Sequence, residues 1–220
     1  MNSKRKKTGP MTLAEHDALL KEEGRYDAMV EEQERRERER QERAREWRKA
    51  RVPLVADLRA FGVEVESEWD LVNTTKPYPD AVPVLLRHLP KGYPDRVREG
   101  IARALAARGP RALAAGRDRH AWDVLVVEFQ KSKDPTALGA KWGMACALSV
   151  AGDDSVIEEV IELLSEERHG ENRVPLLDVL ARSQVEEAHR LLKNLADDPQ
   201  LGQGAKELLK KKKRRRGRKN

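Results

Sequence analysis

The sequence predicts an all-α fold in which pairs of helices repeat along the chain and stack side by side. Charged residues make up 37% of the chain and aromatic residues only 4%, a composition typical of long solvated helices and not of strand-rich sandwiches. One helical segment recurs at a shift of 43 residues and, more weakly, at a further shift of 32. Because an amphipathic stretch precedes each copy, the repeated unit is a helical hairpin.

The chain begins with a basic segment and a capped helix. Residues 1–11 are polar and basic up to Pro10, with Met11 as an alternative translation start, and we expect them to be disordered. Thr12 and Glu15 have the spacing of a capping box, in which each side chain accepts a hydrogen bond from the backbone N–H of the other. A helix is therefore predicted from Thr12 to about Gly24.

A charged helical arm follows and completes the segment 12–46. Two thirds of the residues between Tyr26 and Arg51 are charged. Glu-to-Arg pairs four residues apart each stabilise an isolated helix by about 0.2–0.5 kcal/mol. They occur at Glu31/Arg35, Glu32/Arg36, Glu34/Arg38 and Glu39/Arg43. Apolar residues are almost absent between Val30 and Ala44, so the pattern predicts an exposed helix and not a coiled coil.

Residues 47–77 are predicted to form an irregular helical cap on the repeats. Apolar residues recur at helical spacing from Trp47 to Phe61, and Gly62 follows as a stop signal. The stretch 67–73 has the pattern of a short capped helix. A loop then leads into the repeated region.

Residues 78–209 contain the repeated hairpins. The run 95–105 aligns with 138–148 and then with 173–180, and a basic residue recurs at the same point in each run, as Arg98, Lys141 and Arg173. The helices that precede these runs have apolar stripes formed by Ala81, Val82, Leu85, Leu86 and Leu89, by Trp122, Leu125, Val126 and Phe129, and by Val156, Ile157, Val160, Ile161 and Leu164. A degenerate fourth hairpin covers 185–209.

The run Asp95-Arg96-Val97-Arg98-Glu99-Gly100-Ile101-Ala102-Arg103-Ala104-Leu105 resembles the second-helix motif of HEAT and phycobilisome-lyase-type repeats. In that motif an Asp opens the helix and a Val-Arg pair leads into an Ala/Leu-rich core face. The second copy departs from it, because Leu138 replaces the Asp. The resemblance implies a short right-handed α-solenoid whose second helices line the concave face, and it implies no chemistry. About eleven extra residues around 109–116 predict a loop with a short helical turn.

The positive charge of the chain is concentrated at its ends. The net charge is +6, from 44 Lys and Arg against 38 Asp and Glu. Nine of these cations lie within 210–219 and four within 4–7, so the remaining chain has 31 cations, 38 acids and a net charge of −7. An acidic body argues against a continuous basic groove for a phosphate backbone.

The three recurring cations suggest a binding surface. Arg98, Lys141 and Arg173, with Trp142 beside Lys141, are the candidate residues for a protein partner on the concave face. The alternative is that the cations pair with acids between neighbouring hairpins, where exposed pairs contribute only about 0–1 kcal/mol each. A protein partner of unknown identity is the first functional hypothesis, with the chain as a non-catalytic scaffold or adaptor.

The C-terminal tail, residues 210–220, suggests a second hypothesis. Dense cations gain affinity for phosphate by releasing condensed counterions, and here they are Lys210, Lys211, Lys212, Lys213, Arg214, Arg215, Arg216, Arg218 and Lys219. This disordered tail would bind RNA, DNA or the ribosome without reading sequence, because it has no aromatic residue to stack on bases. The alternative is a solubilising end without a partner.

Three tryptophans raise a remote enzymatic alternative. Some HEAT-like alkylpurine DNA glycosylases use aromatic side chains and an acid on the concave face to excise alkylated bases. Trp142 would be the surface candidate here, Trp122 is predicted to be core, and Trp69 lies in the cap. No motif supplies an acid beside Trp142, so we predict that the protein is not an enzyme.

Other classes of site are not predicted. The single cysteine, Cys146, excludes an intrachain disulfide and fits a reducing cytoplasm. No apolar run approaches the roughly 18 residues of a membrane span. The five histidines are scattered, without the close helical spacing of a metal site, and are predicted to be solvated or partly packed: His16, His88, His120, His169 and His189. We therefore expect no metal, no cofactor and no membrane association.

Overall fold

The structure, a computed structural model, describes residues 11–107, 119–133 and 139–217, with side chains described as far as Arg214. All regular secondary structure in these ranges is helical, which confirms the all-α prediction. The basic segment 1–10 and the insertion at 109–116 lie outside the described residues, as do Leu138, Arg218 and Lys219. The described helices fall into two compact units, Met1–Arg48 and Lys49–Asn220.

The first unit begins with the capped helix α1, Leu13–Glu22. The predicted capping box is present: Thr12 N donates to Glu15 Oε2 at 3.0 Å, and Glu15 N donates to Thr12 Oγ1 at 3.3 Å. The helix stops before Gly24, whose φ of 66° lies in the left-handed region that glycine adopts without strain. Both ends of this helix therefore follow from local sequence.

Helix α2, Tyr26–Ala50, is the predicted charged helix, and none of its residues is buried. Among the predicted pairs, Arg36 contacts Glu32 at 2.6 Å, Arg38 contacts Glu34 at 3.4 Å, and Arg43 contacts Glu39 at 4.0 Å. Arg35 pairs with Glu32 and Glu39, where the sequence predicted Glu31. Side-chain pairs along the helix, and not core packing, are the interactions that support it.

The second unit opens with two helices of the predicted cap and the first hairpin. These are α3, Val52–Ala60; α4, Glu68–Asn73; α5, Ala81–His88; and α6, Asp95–Ala107. Asp70 caps α4 by accepting from Ser67 N at 2.9 Å. Helix α5 buries the predicted stripe, including Val82 and Leu85, because these residues recur at helical spacing on one face.

The described residues of the second unit contain six further helices: α7, Arg119–Lys131; α8, Ala140–Ala151; α9, Ile157–Ser165; α10, Leu177–Arg182; α11, Glu186–Asn194; and α12, Gly202–Gly217. Short 3₁₀ segments lie at Asp154–Val156, Glu167–Leu176 and Leu195–Asp197. Asp153 caps the first of these by accepting from Ser155 N at 2.9 Å.

Successive second helices of the hairpins pack on one another. Within the described residues α6 has its most extensive contact with α8, α4 packs on the other side of α6, and α10 and α12 continue the series. Glycine permits the close approach: a Cβ on Gly143 would lie 3.0 Å from Ala102 Cβ, and one on Gly100 would lie 2.4 Å from Glu68 Cγ. Gly100 and Gly143 are equivalent under the shift of 43 residues.

The third repeated helix is shorter than the sequence predicted. The expected helix at 173–180 begins only at Leu177, after the 3₁₀ segment. Pro175 explains the difference, because it has no backbone N–H and disfavours the α conformation in the residue before it. Gly170, with a φ of 56°, interrupts the segment further upstream.

The basic tail is also ordered further than predicted. We expected disorder from residue 210, but α12 continues to Gly217. Its first turns are anchored by Leu201 and Ala205, both fully buried. Lys and Arg are good helix formers, so a helix that is nucleated by packing continues through the basic run.

Candidate functional site

Two of the three predicted binding cations are buried within the second unit. The side chain of Lys141 is 5% exposed and donates from Nζ to Ser132 O at 2.8 Å. Arg173 is 3% exposed and donates to Leu164 O at 2.6 Å and to Gln200 Oε1 at 2.6 Å. These contacts remove both side chains from the surface, which corrects the expectation that they face a partner.

The buried cations act at helix ends. Ser132 follows the last residue of α7, and Leu164 is in the last turn of α9. The last carbonyls of a helix have no partner within the helix and lie at the negative end of its dipole, so a cation there stabilises the helix. Arg182 repeats the arrangement by donating to Gly152 O at the end of α8.

Arg98 also contacts a neighbouring helix, but its partner is a carboxylate and not a helix-end carbonyl. Its Nη2 donates to Glu128 Oε2 of α7 at 3.1 Å, and its side chain is 19% exposed. This contact is the pairing with an acid of the next hairpin that the alternative predicted. Lys141 instead donates to Ser132 O within its own hairpin, and Arg173 donates to backbone and amide oxygens and not to an acid.

Trp142, like Arg98, is a predicted binding residue that is part-exposed on a second helix. Under the shift of 43 residues it is equivalent to Glu99, and Cys146 is equivalent to Arg103. We define the second-helix face as the row formed by Trp69, Arg96, Arg103, Trp142, Cys146 and Asp178.

The second-helix face contains both charged and aromatic groups. The Arg96 guanidinium lies 3.8 Å from the centroid of the Trp69 ring, and Arg103 Nε donates to Glu99 Oε1 at 2.7 Å. Burial raises the pKa of the Cys146 thiol, with Arg103 opposing the rise and Asp178 adding to it.

The structure also contains a cavity that the sequence did not predict. It has a volume of about 740 Å³ and lies between the end of α7 and the 3₁₀ segment Glu167–Leu176. We call it the Lys141 pocket, and its lining is Gln130, Lys131, Ser132, Lys133, Lys141, Glu167, Arg168, His169, Gly170, Glu171, Asn172 and Gln200. Its size falls within the range of small-molecule sites.

Two buried side chains that line the Lys141 pocket have a polar atom without a hydrogen bond. His169 is 2% exposed and Asn172 is 4% exposed, and these atoms are Nδ1 of His169 and Oδ1 of Asn172. His169 Nε2 lies 3.0 Å from Glu166 Oε2, and this contact raises the pKa of His169 against the larger effect of burial. Orphaned polar atoms of this kind are rare in folded proteins.

The ring of His169 is neutral at physiological pH. Burial is the main cause that lowers its pKa to about 4, and the charge of Lys141 adds to the effect. The ring also packs against Phe129, with centroids 4.6 Å apart.

His88 is buried as well. Its Nε2 lies 2.8 Å from Asp57 Oδ2, and its Nδ1 lies 2.7 Å from the Tyr93 hydroxyl. The expectation that all histidines are solvated or partly packed was therefore wrong.

A second buried polar cluster surrounds Glu68. The carboxyl group is 0% exposed, and burial raises its pKa. Arg51 Nη2 lies 3.2 Å from Glu68 Oε1, yet neither carboxyl oxygen has a hydrogen bond, and Trp69 Nε1 is also unpartnered. Complete burial keeps this carboxyl group out of contact with solvent and substrates.

The basic tail presents a partial row of cations. Lys210, Lys211, Lys213 and Arg214 are exposed on α12. Lys212 instead packs back on the body, where Nζ lies 3.2 Å from Ala181 O and 2.6 Å from His189 Nε2. Lys212 is therefore part of the fold, which corrects its assignment to the tail, and the side chains of Arg215 and Arg216 lie outside the described residues.

The remaining predictions concern other sites. Trp122 is buried as expected, and its Nε1 donates to Glu159 Oε2 at 2.7 Å. In the described ranges no group of three His, Cys, Asp or Glu side chains could hold a metal ion. No helix in the described part of the chain is long and apolar enough to cross a membrane.

Sequence patterns missed the Lys141 pocket because its lining comes from separate segments. Lys141 was singled out, but as a surface residue, and His169 was treated as isolated. The signal in the sequence was the density of polar residues in 166–173, next to a proline that prevents a regular helix. Comparison of the chain with protein-family models, curated proteins and solved structures finds no match.

Proposed function

We propose that the protein is a non-catalytic scaffold, a short right-handed α-solenoid of HEAT-like hairpins that binds a protein partner. Support comes from the repeated register of Gly100 and Gly143 at the contacts between second helices. Asp95, the residue that opens the repeat motif, accepts from Ala140 N at 3.4 Å and so joins the starts of α6 and α8. Neighbouring second helices are then parallel, as in a solenoid.

The partner binds the second-helix face, which is the concave face in this proposal. The observation that carries the assignment is the part-exposed Trp142 on α8, in a row that also contains Arg96 and Arg103. Trp and Arg are the residues most enriched among binding hot spots. Lys141 and Arg173 position the helices under this face and do not touch the partner.

Affinity capture with a matched variant tests the scaffold proposal. Proteins retained from native extract by the wild-type chain are compared with those retained by Trp142→Ala and by Val127→Ala, which truncates a 44% exposed residue on α7. The proposal expects a partner that is lost with Trp142→Ala and kept with Val127→Ala. Equal retention by both variants, with both folded, contradicts the assignment of the face.

A second candidate function is binding of RNA, DNA or the ribosome through the tail. The extension of α12 supports it, because four exposed cations follow one another on an ordered helix. Neutralising phosphates with such cations releases counterions and makes binding steeply salt-dependent. The acidic net charge of the rest of the chain confines this activity to the end of α12.

Replacing Lys210, Lys211, Lys213 and Arg214 by Gln, with Lys212 retained for the fold, tests the second function. We expect co-sedimentation with ribosomes or RNA at low salt to be lost, and the slope of affinity against salt to fall by roughly one per phosphate contact removed. Unchanged association excludes the tail as the anchor. We do not propose glycosylase activity, because Glu68, next to Trp69, is fully covered, and Glu159, next to Trp122, is bound by Trp122 Nε1 and Arg119.

A further inference from the structure

Helix α2 has its few apolar side chains on one side. Steps of three and four residues keep side chains on one face of a helix. Such steps connect six residues that we define as the α2 stripe: Val30, Gln33, Glu37, Arg40, Ala44 and Trp47. Its three apolar members are all the apolar residues between 30 and 49, and each of them is part-exposed. An indole that the fold covers only in part leaves apolar area for another surface.

The α2 stripe is complementary to itself when a second copy of the helix runs in the opposite direction. In the register that places Val30 opposite Trp47, Gln33 falls opposite Ala44. Glu37 then falls opposite Arg40, and two-fold symmetry repeats each of these contacts. Apolar residues thus meet at both ends of the stripe and opposite charges meet at its centre. A parallel pair would instead place each charged residue opposite its own copy, where like charges repel.

The distribution of charge along α2 favours the same antiparallel arrangement. Residues 26–34 contain four acids and no Lys or Arg, whereas residues 43–49 contain four cations and one acid. Antiparallel pairing brings the acidic start of each helix to the basic end of the other. Exposed charge pairs contribute little and are screened by salt, so the pairing is weak and salt-dependent. The charged centre also distinguishes the stripe from the continuous apolar seam of a coiled coil.

We propose that the α2 stripe is an interface between two copies of this chain, which pair antiparallel through residues 30–47. Burial of Val30 and Trp47 supplies the apolar contribution at the two ends. The contacts between Glu37 of one copy and Arg40 of the other fix the direction and the register, as polar groups do in other helix pairs. The interface lies in the first unit and does not depend on the scaffold proposal. Each pair of chains carries two second-helix faces.

Charge reversal in the full-length protein tests the proposal by sedimentation equilibrium at low salt. Wild type should form a dimer. Glu37→Arg and Arg40→Glu each place like charges at the centre, so each variant alone should dimerise at least about tenfold more weakly. An equal mixture of the two variants restores opposite charges and should dimerise as wild type does, which also shows that both variants are folded. A wild-type chain that stays monomeric at millimolar concentration overturns the proposal, and so does a mixture that associates no better than either variant alone.

Matched variants separate the α2 stripe from the overall charge of the helix. Glu42→Arg and Arg35→Glu make the same changes of charge on the opposite side of α2. We expect each of them to dimerise as wild type does. If they weaken the dimer as much as Glu37→Arg and Arg40→Glu do, the association is general charge attraction and the stripe is excluded.

Cysteine cross-linking tests the direction of the pair. Gln33→Cys and Ala44→Cys are introduced in separate chains that also carry Cys146→Ser. In the antiparallel register two residues at position 33 lie about 16 Å apart along the helix axis, which is too far for a disulfide. We therefore expect cross-links only when the two chains are mixed. Cross-links between identical chains overturn the antiparallel arrangement.

Discussion

At the scale of single residues, environment decides the chemistry of the ionisable groups more than residue type does. Lys141 and Arg173 belong to residue types that are almost always exposed, yet both are buried because helix-end carbonyls take their N–H groups. Glu68 and His169 are buried without such hydrogen bonds, and burial shifts the pKa of each toward its neutral form. Their protonation is therefore linked to folding.

His169→Gln should reduce the loss of stability in acid. The folded pKa of His169 is about 4, below the ordinary value of 6.5, so the neutral ring stabilises the fold fully above pH 6.5. This contribution to the free energy of unfolding is lost as pH falls from 6.5 toward 4, and it amounts to about 3 kcal/mol. Urea unfolding at several pH values measures it. An equal pH dependence in wild type and variant would contradict the assignment.

Glu68→Gln should become relatively more stabilising as pH rises. Burial raises the folded pKa of Glu68, so the protonated carboxyl group favours folding at low pH. This contribution to the free energy of unfolding is lost as pH rises through the folded pKa. Gln has no such ionisation. We expect the stability of the variant minus that of the wild type to increase from pH 4 to pH 7, measured by thermal unfolding. A constant difference would show that Glu68 titrates as an ordinary exposed acid.

At the scale of helices, small residues at the contacts set the distance between neighbours. Gly100 and Gly143 lie on equivalent positions of α6 and α8, and each faces the preceding second helix. A helical glycine is unfavourable by about 1 kcal/mol relative to alanine. Its presence at both positions is explained by close packing, which alanine would obstruct.

Gly100→Ala should therefore destabilise the protein despite the better helix propensity. The added Cβ would lie 2.4 Å from Glu68 Cγ and 2.9 Å from Trp69 Nε1, so these buried or part-buried side chains, or α4 with them, must shift. Overpacking of this kind costs about 1–3 kcal/mol and outweighs the gain in propensity. The control is Gly92→Ala, where a Cβ meets nothing within 4 Å. A variant at Gly100 that is as stable as the control would argue against close packing of α4 and α6.

At the scale of the whole molecule, apolar burial is concentrated in the second unit. Apart from Leu20, the buried apolar residues described lie between Leu54 and Ala205. Helix α2 buries none of its residues and has charged pairs along its length. The core of the second unit is therefore formed by its own residues, while the first unit contributes mainly charge.

A fragment of residues 49–220 should fold with nearly the stability of the full chain. Loss of less than 1 kcal/mol corresponds to a change in Tm of less than about 4 °C for a domain of this size. Differential scanning calorimetry of both chains measures it. A fragment that begins at residue 62 is the control, because it lacks the fully buried Leu54 and Leu58, and it should be much less stable. A large drop in the Tm of the fragment that begins at residue 49 would contradict the division into units.

Local sequence was sufficient for the individual helices. The capping box at Thr12, the cap at Asp153 and the charged pairs of α2 depend on residues two to four apart, and such interactions act within one segment whatever surrounds it. The amphipathic stripes and the shift of 43 residues likewise identified which helices are equivalent and that Trp122 is core. These features define the all-α fold and the repeated register.

Only the tertiary structure decided where the charged residues lie. The repeat identified Arg98, Lys141 and Arg173 as equivalent, but their exposure depends on which helix ends are nearby, and distant segments supply those ends. The Lys141 pocket and the order of α12 have the same origin, because residues far apart in sequence meet there. Sequence by itself thus determined the helices and their register, while long-range packing decided which cations are structural and which remain free to bind.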